Sequence, residues 1–437
     1  MTERLTRGLL AGLVLVYLLL AGAYSALTPA ATADQHNPDE NAHMIYVQTV
    51  ALGHLPVFTD AQHGYENHQP PLYYMLAAPV YLAAKGQGDA AATKAVRWVS
   101  VVLGALLIFA AYGAGRVFMP ADPWLALGTA VFVGLLPANV ALNASVTNDS
   151  LTTLVSVAAL WLLGRIIHAE DDASRVRLTV WLGVTLGLAV WTKSLTLSLY
   201  PTVAMTFLLL ARYDVLVGVP AARLAGLALG LGGLIGLPWL VRNTFLYGDP
   251  LAQRLLLVTL NNGANNVPID AMIALFGGMG GYFAKVAQWA FSSFWGGFDS
   301  MRLFWDQDPR RPHPNFLRGL TPTYQVLLLV SLAPVFGLVR QWRRWAAPAV
   351  RRVGLLLLAA QLVFAGIAFL NYNLHFFQAQ GRYLFPALFP LAFFFVLGWR
   401  GLLPRPTWFP AFVGFLAAGL LALNLYTLLG LLLPRFS

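Results

Sequence analysis

Runs of about 20 apolar residues recur along this chain, the length an α-helix needs to cross a bilayer. The first covers residues 8–27. Ten more follow at 96–117, 121–142, 151–167, 178–192, 195–211, 221–241, 322–339, 352–371, 383–399 and 408–432. Period-two alternation, the mark of a transmembrane β-barrel, is missing. The sequence therefore predicts an all-α polytopic membrane protein with about 11 transmembrane helices, in a range of 10–13. Apolar residues make up 58% of the 437 positions and charged residues only 11%, well away from a soluble mean. The first run follows Arg4 and Arg7. It is long for the core of a signal peptide, and Leu27-Thr28-Pro29 is a poor cleavage context, so it is read as a retained helix. The chain has no cysteine, which excludes disulfides, thiolate metal sites and cysteine nucleophiles. No Walker loop, dinucleotide fingerprint or HExxH motif occurs. The chain reads as one integral-membrane domain, 1–437, without a separate soluble domain. The net charge of +10 sits between apolar runs and so points to membrane lipids as partners, not nucleic acid.

The arginines orient the helices. With the N-terminus cytoplasmic, the inner turns hold Arg116, then Arg165, Arg175 and Arg177, then Arg212 and Arg223. Further along they hold the group from Arg340 to Arg352, and then Arg400 and Arg405. Residues 28–95 become a first external loop with juxtamembrane helices. Its run at 70–84 is too short to span and suits an interfacial or re-entrant segment. Residues 243–321 become one long external region, whose apolar part, 272–295, contains Lys285 and is also read as interfacial or re-entrant. Lys85, Lys94 and Arg97 fall outside, against the rule.

The first loop gathers Asp34, His36, Asp39, Glu40, His43, His54, Asp60, His63, Glu66 and His68, with no Lys or Arg before Pro70. Acids at a membrane interface bind a cation, take a proton, or do both. Asp39 and Glu40 could instead cap a helix carrying Met44, Ile45, Val47, Val50 and Ala51. Asn148-Asp149 could cap the helix beginning near 151. Two carboxylates on one face, Asp39 and Asp149, could share a divalent cation such as Mg or Mn, or divide base and positioning roles. Lys193 ends an apolar run and could simply snorkel. Arg382, in Gln380-Gly381-Arg382-Tyr383, and Arg242, before Asn243, offer planar forks for phosphate oxygens. Arg302, Arg310, Arg311 and Arg318 read as a headgroup-binding or acceptor-facing loop. The histidines 36, 43, 54, 63, 68 and 375 match no compact zinc spacing. His68-Gln69-Pro70-Pro71-Leu72-Tyr73-Tyr74 reads as a kinked entry to the interfacial segment.

Several of these motifs, in this order, resemble the GT-C superfamily of polytopic glycosyltransferases. The resemblance is to the protein O-mannosyltransferase and aminoarabinose-transferase branch and its uncharacterised bacterial relatives. It rests on Pro38-Asp39-Glu40-Asn41-Ala42-His43, on Pro70-Pro71-Leu72-Tyr73-Tyr74, on Asn148-Asp149 and on Thr192-Lys193. Arg242-Asn243 with Tyr247-Gly248-Asp249-Pro250, and Gln380-Gly381-Arg382-Tyr383-Leu384-Phe385-Pro386, complete it. The resemblance implies a GT-C fold and a polyprenyl-phosphate-linked sugar donor. The sugar would be used on the periplasmic side of a bacterial inner membrane, with a protein, lipid or glycan as acceptor. Asp39 would be the general base and Glu40 its support. Asp149 would position the acceptor or a metal. Lys193, Arg242 and Arg382 would bind the donor phosphate. His43, His68, Gln69, Asn148 and Tyr383 would contact substrate. The main alternative is a lipid or solute transporter or flippase of the cell envelope. A non-catalytic scaffold and a ligase using a diphosphate-linked glycan are further alternatives.

Overall fold

The computed structural model describes residues 2–30, 39–59, 64–216, 218–261, 267–296 and 320–436. Among these residues the chain is helical, without a strand. Helix α1 (Thr2–Leu27) leads through the first loop into α2 (Glu40–Ala51) and α3 (Leu72–Ala84). Then come α4 (Asp89–Phe118), α5 (Pro123–Leu135), α6 (Pro137–Asn143), α7 (Asp149–Ile167) and α8 (Asp172–Val190). They are followed by α9 (Leu199–Arg212), α10 (Ala221–Tyr247), α11 (Gln253–Asn261), α12 (Ile269–Leu275) and α13 (Met279–Trp295). Then follow α14 (Pro322–Trp345), α15 (Ala349–Asn373), α16 (Leu388–Leu402), α17 (Phe409–Leu425) and, after a π-helical turn at Tyr426–Leu432, α18 (Leu433–Phe436). Among the described residues ten helical segments are long and apolar enough to cross a membrane, and the bent pair α5–α6, taken as one span, makes an eleventh. The all-α polytopic architecture and the expected number of spans agree with this.

The run at 121–142 departs from expectation. It is not one straight helix but two, bent by 59°. Pro137 explains the break. It has no N–H to continue α5, and it forces Leu136 out of the helical region, to φ −60° and ψ 119°. The apolar stretch 272–295 is also two helices, α12 and α13, separated where Gly277 and Gly278 both adopt positive φ. Helix α3 has 13 residues, about 20 Å of rise, well short of a bilayer core.

The spans pack closely where side chains are small. Gly183 and Gly187 of α8 lie against α10 next to Gly232, and a Cβ on Gly187 would come within 2.4 Å of Ile235 Cβ. Such contacts are the usual means of helix association in lipid. At one end of the bundle the predicted inner arginines find partners: Arg116 on Glu3, Arg175 on Asp172 and Arg400 on Asp122. The three basic residues that broke the charge rule lie elsewhere. Lys85 is exposed, Lys94 donates to Ala26 O, and Arg97 is fully buried as the counter-ion of Glu40. A buried ion-paired arginine reports no topology, which removes Arg97 from the conflict.

Candidate functional site

The Glu40–Arg97 pair forms the floor of the site. Arg97 Nε and Nη2 donate to the two Glu40 oxygens at 2.8 and 2.6 Å. Its remaining donors reach Ser25 O, Thr28 O and Pro29 O, at the end of α1 and just beyond. Glu40 Oε1 also accepts from Val146 N, in the turn before α7. One carboxylate thus ties α2 to α4, to the end of α1 and to the start of α7. Tyr73 of α3 reinforces this, bonding Ser100 Oγ and accepting from Thr147 N. Tyr46 stacks on Tyr74 at 3.7 Å and donates to Gln69 O.

Asp39 sits at the N-terminus of α2 in the left-handed region, φ 62°. Asp tolerates that conformation better than most residues, though at some strain. Its side chain makes no capping bond. It points instead to Arg382, whose Nη2 donates to Asp39 Oδ2 at 2.7 Å. Arg382 Nη1 donates to Asp149 Oδ2 at 3.2 Å. Lys193 Nζ donates to Asp149 Oδ1 at 2.6 Å and to Asn148 Oδ1 at 3.2 Å. Two acids and two bases, brought from four distant parts of the chain, thus form one compensated cluster. Asp39 is its accessible member, with a side chain 24% exposed. Tyr383 lies under both Arg382 and Lys193, at 5.3 and 5.7 Å.

Backbone irregularity sets these side chains. Lys193 lies in an extended residue before the 3-10 turn Ser194–Ser198. Arg382 lies in a second 3-10 turn, Gly381–Ala387, ahead of α16. Gln361 of α15 links the two turns, donating to Ser198 Oγ and Pro386 O and accepting from Thr202. Gly381 has no room for a side chain: a Cβ there would meet Phe294 N at 2.4 Å and Ala290 O at 2.6 Å. Its N–H donates to Ser293 Oγ.

The cluster borders a cavity of about 210 Å³ whose lining includes His43, Glu66, His68, Lys193, Arg382 and Tyr383. Burial holds both histidines neutral. His43, bonded through Nδ1 to Tyr74 Oη at 2.8 Å, is pushed down to about 3, and His68, on Tyr65 O, to about 4. Burial, reinforced by Asp39, raises Glu66 to about 8. A second, apolar cavity of about 420 Å³ is lined by Leu384 together with Phe132, Phe294, Trp295 and Phe395.

The structure brings together Asp39, Asp149, Asn148, Lys193, Arg382, Tyr383, His43, His68 and Gln69. Two expected residues take other places. The Glu40 carboxylate is engaged by Arg97 and Val146, which makes it a brace for α2. Arg242 donates to Pro56 O at 2.6 Å and stacks on Trp239, which latches the first loop to α10 and engages the fork expected for phosphate. Among the described residues no three His, Asp or Glu groups gather as a metal site. Asp39 and Asp149 already face guanidinium and ammonium groups, so this donor set does not suit a divalent cation. Arg302, Arg310, Arg311 and Arg318, with Asp34, His36, Asp60 and His63, lie outside the described residues. Sequence reasoning missed Arg97, which looked like a topology marker, and Glu66, whose burial has no local signal.

Residues 68–240 match the family described as dolichyl-phosphate-mannose-protein mannosyltransferase. No curated protein matches the chain by sequence. Among solved structures, the oligosaccharyltransferase of Archaeoglobus fulgidus in the apo form overlays with a TM-score of 0.57 at 14% identity. That overlay covers 96% of this chain and 55% of the archaeal one. The same archaeal enzyme in complex with an inhibitory peptide and a dolichol-phosphate gives 0.58 at 12% identity, covering 95% and 55%. ArnT from Cupriavidus metallidurans bound to undecaprenyl phosphate gives 0.43 at 17% identity, covering 90% and 77%. The chain spans about half the length of the archaeal enzyme. By its helical architecture and its overlay on the archaeal oligosaccharyltransferase, the chain is a polytopic membrane protein that shares the fold of that enzyme over the matched part.

Proposed function

We propose that this protein is a glycosyltransferase that moves a sugar from a polyprenyl-phosphate donor to an acceptor hydroxyl at the outer face of a bacterial inner membrane. The observation that carries the reading is the buried cluster Asp39–Arg382–Asp149–Lys193 at the wall of a cavity. Such a cluster supplies what the reaction needs: an accessible carboxylate beside two fixed cations. The Asp39 carboxylate accepts the acceptor's O–H proton. The acceptor oxygen attacks the anomeric carbon from the side opposite the phosphate. The bond between that carbon and the phosphate oxygen breaks, its electron pair stays on the lipid phosphate, and the sugar is inverted. Arg382 and Lys193 stabilise the charge on the departing phosphate, exchanging part of their carboxylate contact for it. Asp149 holds both cations in position. The second, apolar cavity suits an isoprenoid chain. In this orientation the described parts of 28–95 and 243–321 are read as facing outward.

The test is transfer by purified protein from a panel of polyprenyl-phosphate sugars, with products read by mass spectrometry. Asp39→Asn keeps the shape and removes the base. Turnover is expected to fall by about 10²-fold or more while lipid binding persists. Equal turnover by both proteins would remove Asp39 as base. Lipid bound but unchanged by wild type across the panel would favour a lipid carrier or flippase instead.

A further inference from the structure

Glu66 has no role in the transfer step, yet its setting is unusual. Gly64, at φ 115°, opens the 3-10 turn Tyr65–His68 in a conformation that favours glycine. That turn places Glu66 in the cavity wall, where it is 4% exposed. Among the described residues its Oε2 has no hydrogen-bond partner. A buried polar atom without a partner calls for an explanation, and a ligand in the cavity provides one.

We propose that Glu66 is a headgroup-binding residue, donating a hydrogen bond as a neutral carboxylic acid to a phosphate oxygen of the lipid donor. The inference rests on the donor reading above and deepens it. The charges around the cavity select the neutral form. Asp39 at the start of α2 and Asp149 of α7 are matched by Lys193, between α8 and α9, and by Arg382, before α16. His43 and His68 are neutral. The remaining facing groups are the tyrosines of α2, α3 and α15, Tyr46, Tyr74 and Tyr372, with Tyr65 of its own turn and Tyr383. Burial and Asp39 push the Glu66 carboxyl up to about 8 against the pull of Lys193 and Arg382. At neutral pH the acid therefore keeps its proton, and among the described residues the cavity carries no excess negative charge before substrate enters. An ionised Glu66 would add one and repel a phosphate. The neutral acid can donate, and Lys193 and Arg382 bring an anion to the same cavity.

The test uses the full chain in lipid nanodiscs, with long-chain polyprenyl phosphate as the probe and the corresponding polyprenol as the uncharged control. Binding is titrated from pH 6 to pH 9. Wild type is expected to bind polyprenyl phosphate about tenfold more weakly at pH 9 than at pH 7, as Glu66 ionises. Glu66→Gln keeps a donor but cannot ionise. It should bind within about threefold of wild type at pH 7 and lose the alkaline decline. Glu66→Ala should bind about tenfold more weakly at pH 7. Polyprenol binding should not depend on residue 66. The proposal is overturned if Glu66→Ala matches wild type, if Glu66→Gln keeps the alkaline decline, or if polyprenol shows the same dependence. Failure of wild type to bind polyprenyl phosphate at any pH would instead defeat the donor reading itself, and Glu66's role with it.

Discussion

Replacing Arg97 by Met removes a charge that the fold buries completely. The arginine makes six hydrogen bonds: two to the Glu40 carboxylate, one to Thr28 Oγ1 and three to the carbonyls of residues 25, 28 and 29. Methionine fills similar volume and makes none of them. The Glu40 carboxylate loses its charge partner in a setting where it is 4% exposed. Breaking a buried pair from one side costs about 3–5 kcal/mol. The loss falls on the docking of α2, so the opening equilibrium of that helix should shift by roughly 10²- to 10⁴-fold. Amide exchange in nanodiscs, followed by mass spectrometry, reads this at residues 40–47 and at Val146, whose N–H bonds Glu40. Glu40→Gln should do comparable harm by stranding the guanidinium. The double variant should do less than the sum of the two, with a coupling of about 1–3 kcal/mol. Strictly additive effects, or unchanged exchange at α2 in Arg97→Met, would refute the view that this pair holds the site's floor.

Two more predictions follow from the packing and titration of the site. Gly381→Ala should displace Arg382 from its carboxylates, because a Cβ meets Phe294 N and Ala290 O; transfer should fall at least tenfold, while Gly366→Ala, with open space around it, leaves transfer unchanged. His43 and His68 take up protons in the unfolded chain near pH 6.5 but in the fold only near 3 and 4. Thermal stability should therefore decline as pH falls from about 6.5 towards 4, and His43→Asn should flatten that decline; an unaltered slope would mean that His43 charges within the fold.

Most of the membrane architecture could be read from the sequence because its cause is local. A bilayer-length apolar run has one stable solution, a spanning helix. What escaped was set by single residues acting on backbone geometry. Pro137 broke an apolar run whose hydropathy gave no warning. The 3-10 turns that present Lys193 and Arg382 sit inside segments that read as ordinary span ends. Arg97 was misjudged for a related reason. Charge counting treats every cation as solvated, whereas this one has its partner 57 positions away.

The site was legible in part, and the division has a physical basis. Asp39, Asp149, Lys193 and Arg382 stood out because an ion near the membrane needs a reason, and each supplies the reason for another. Their pairing could not be read, since Arg382 and Asp39 are 343 residues apart. Capping, the ordinary explanation for Asp39, fails because the residue is left-handed and its side chain turns away from its own helix. Glu66 follows the opposite logic. A carboxyl matched to a cation is stable whether or not a ligand arrives, whereas one without a cation in a dry wall stays neutral and lacks a partner until something enters. On the proposed reading, the compensated quartet and the uncompensated acid divide two tasks, charge for the chemistry and a neutral donor for admission. Only the first leaves a trace in sequence, as acids and bases placed where ions are costly.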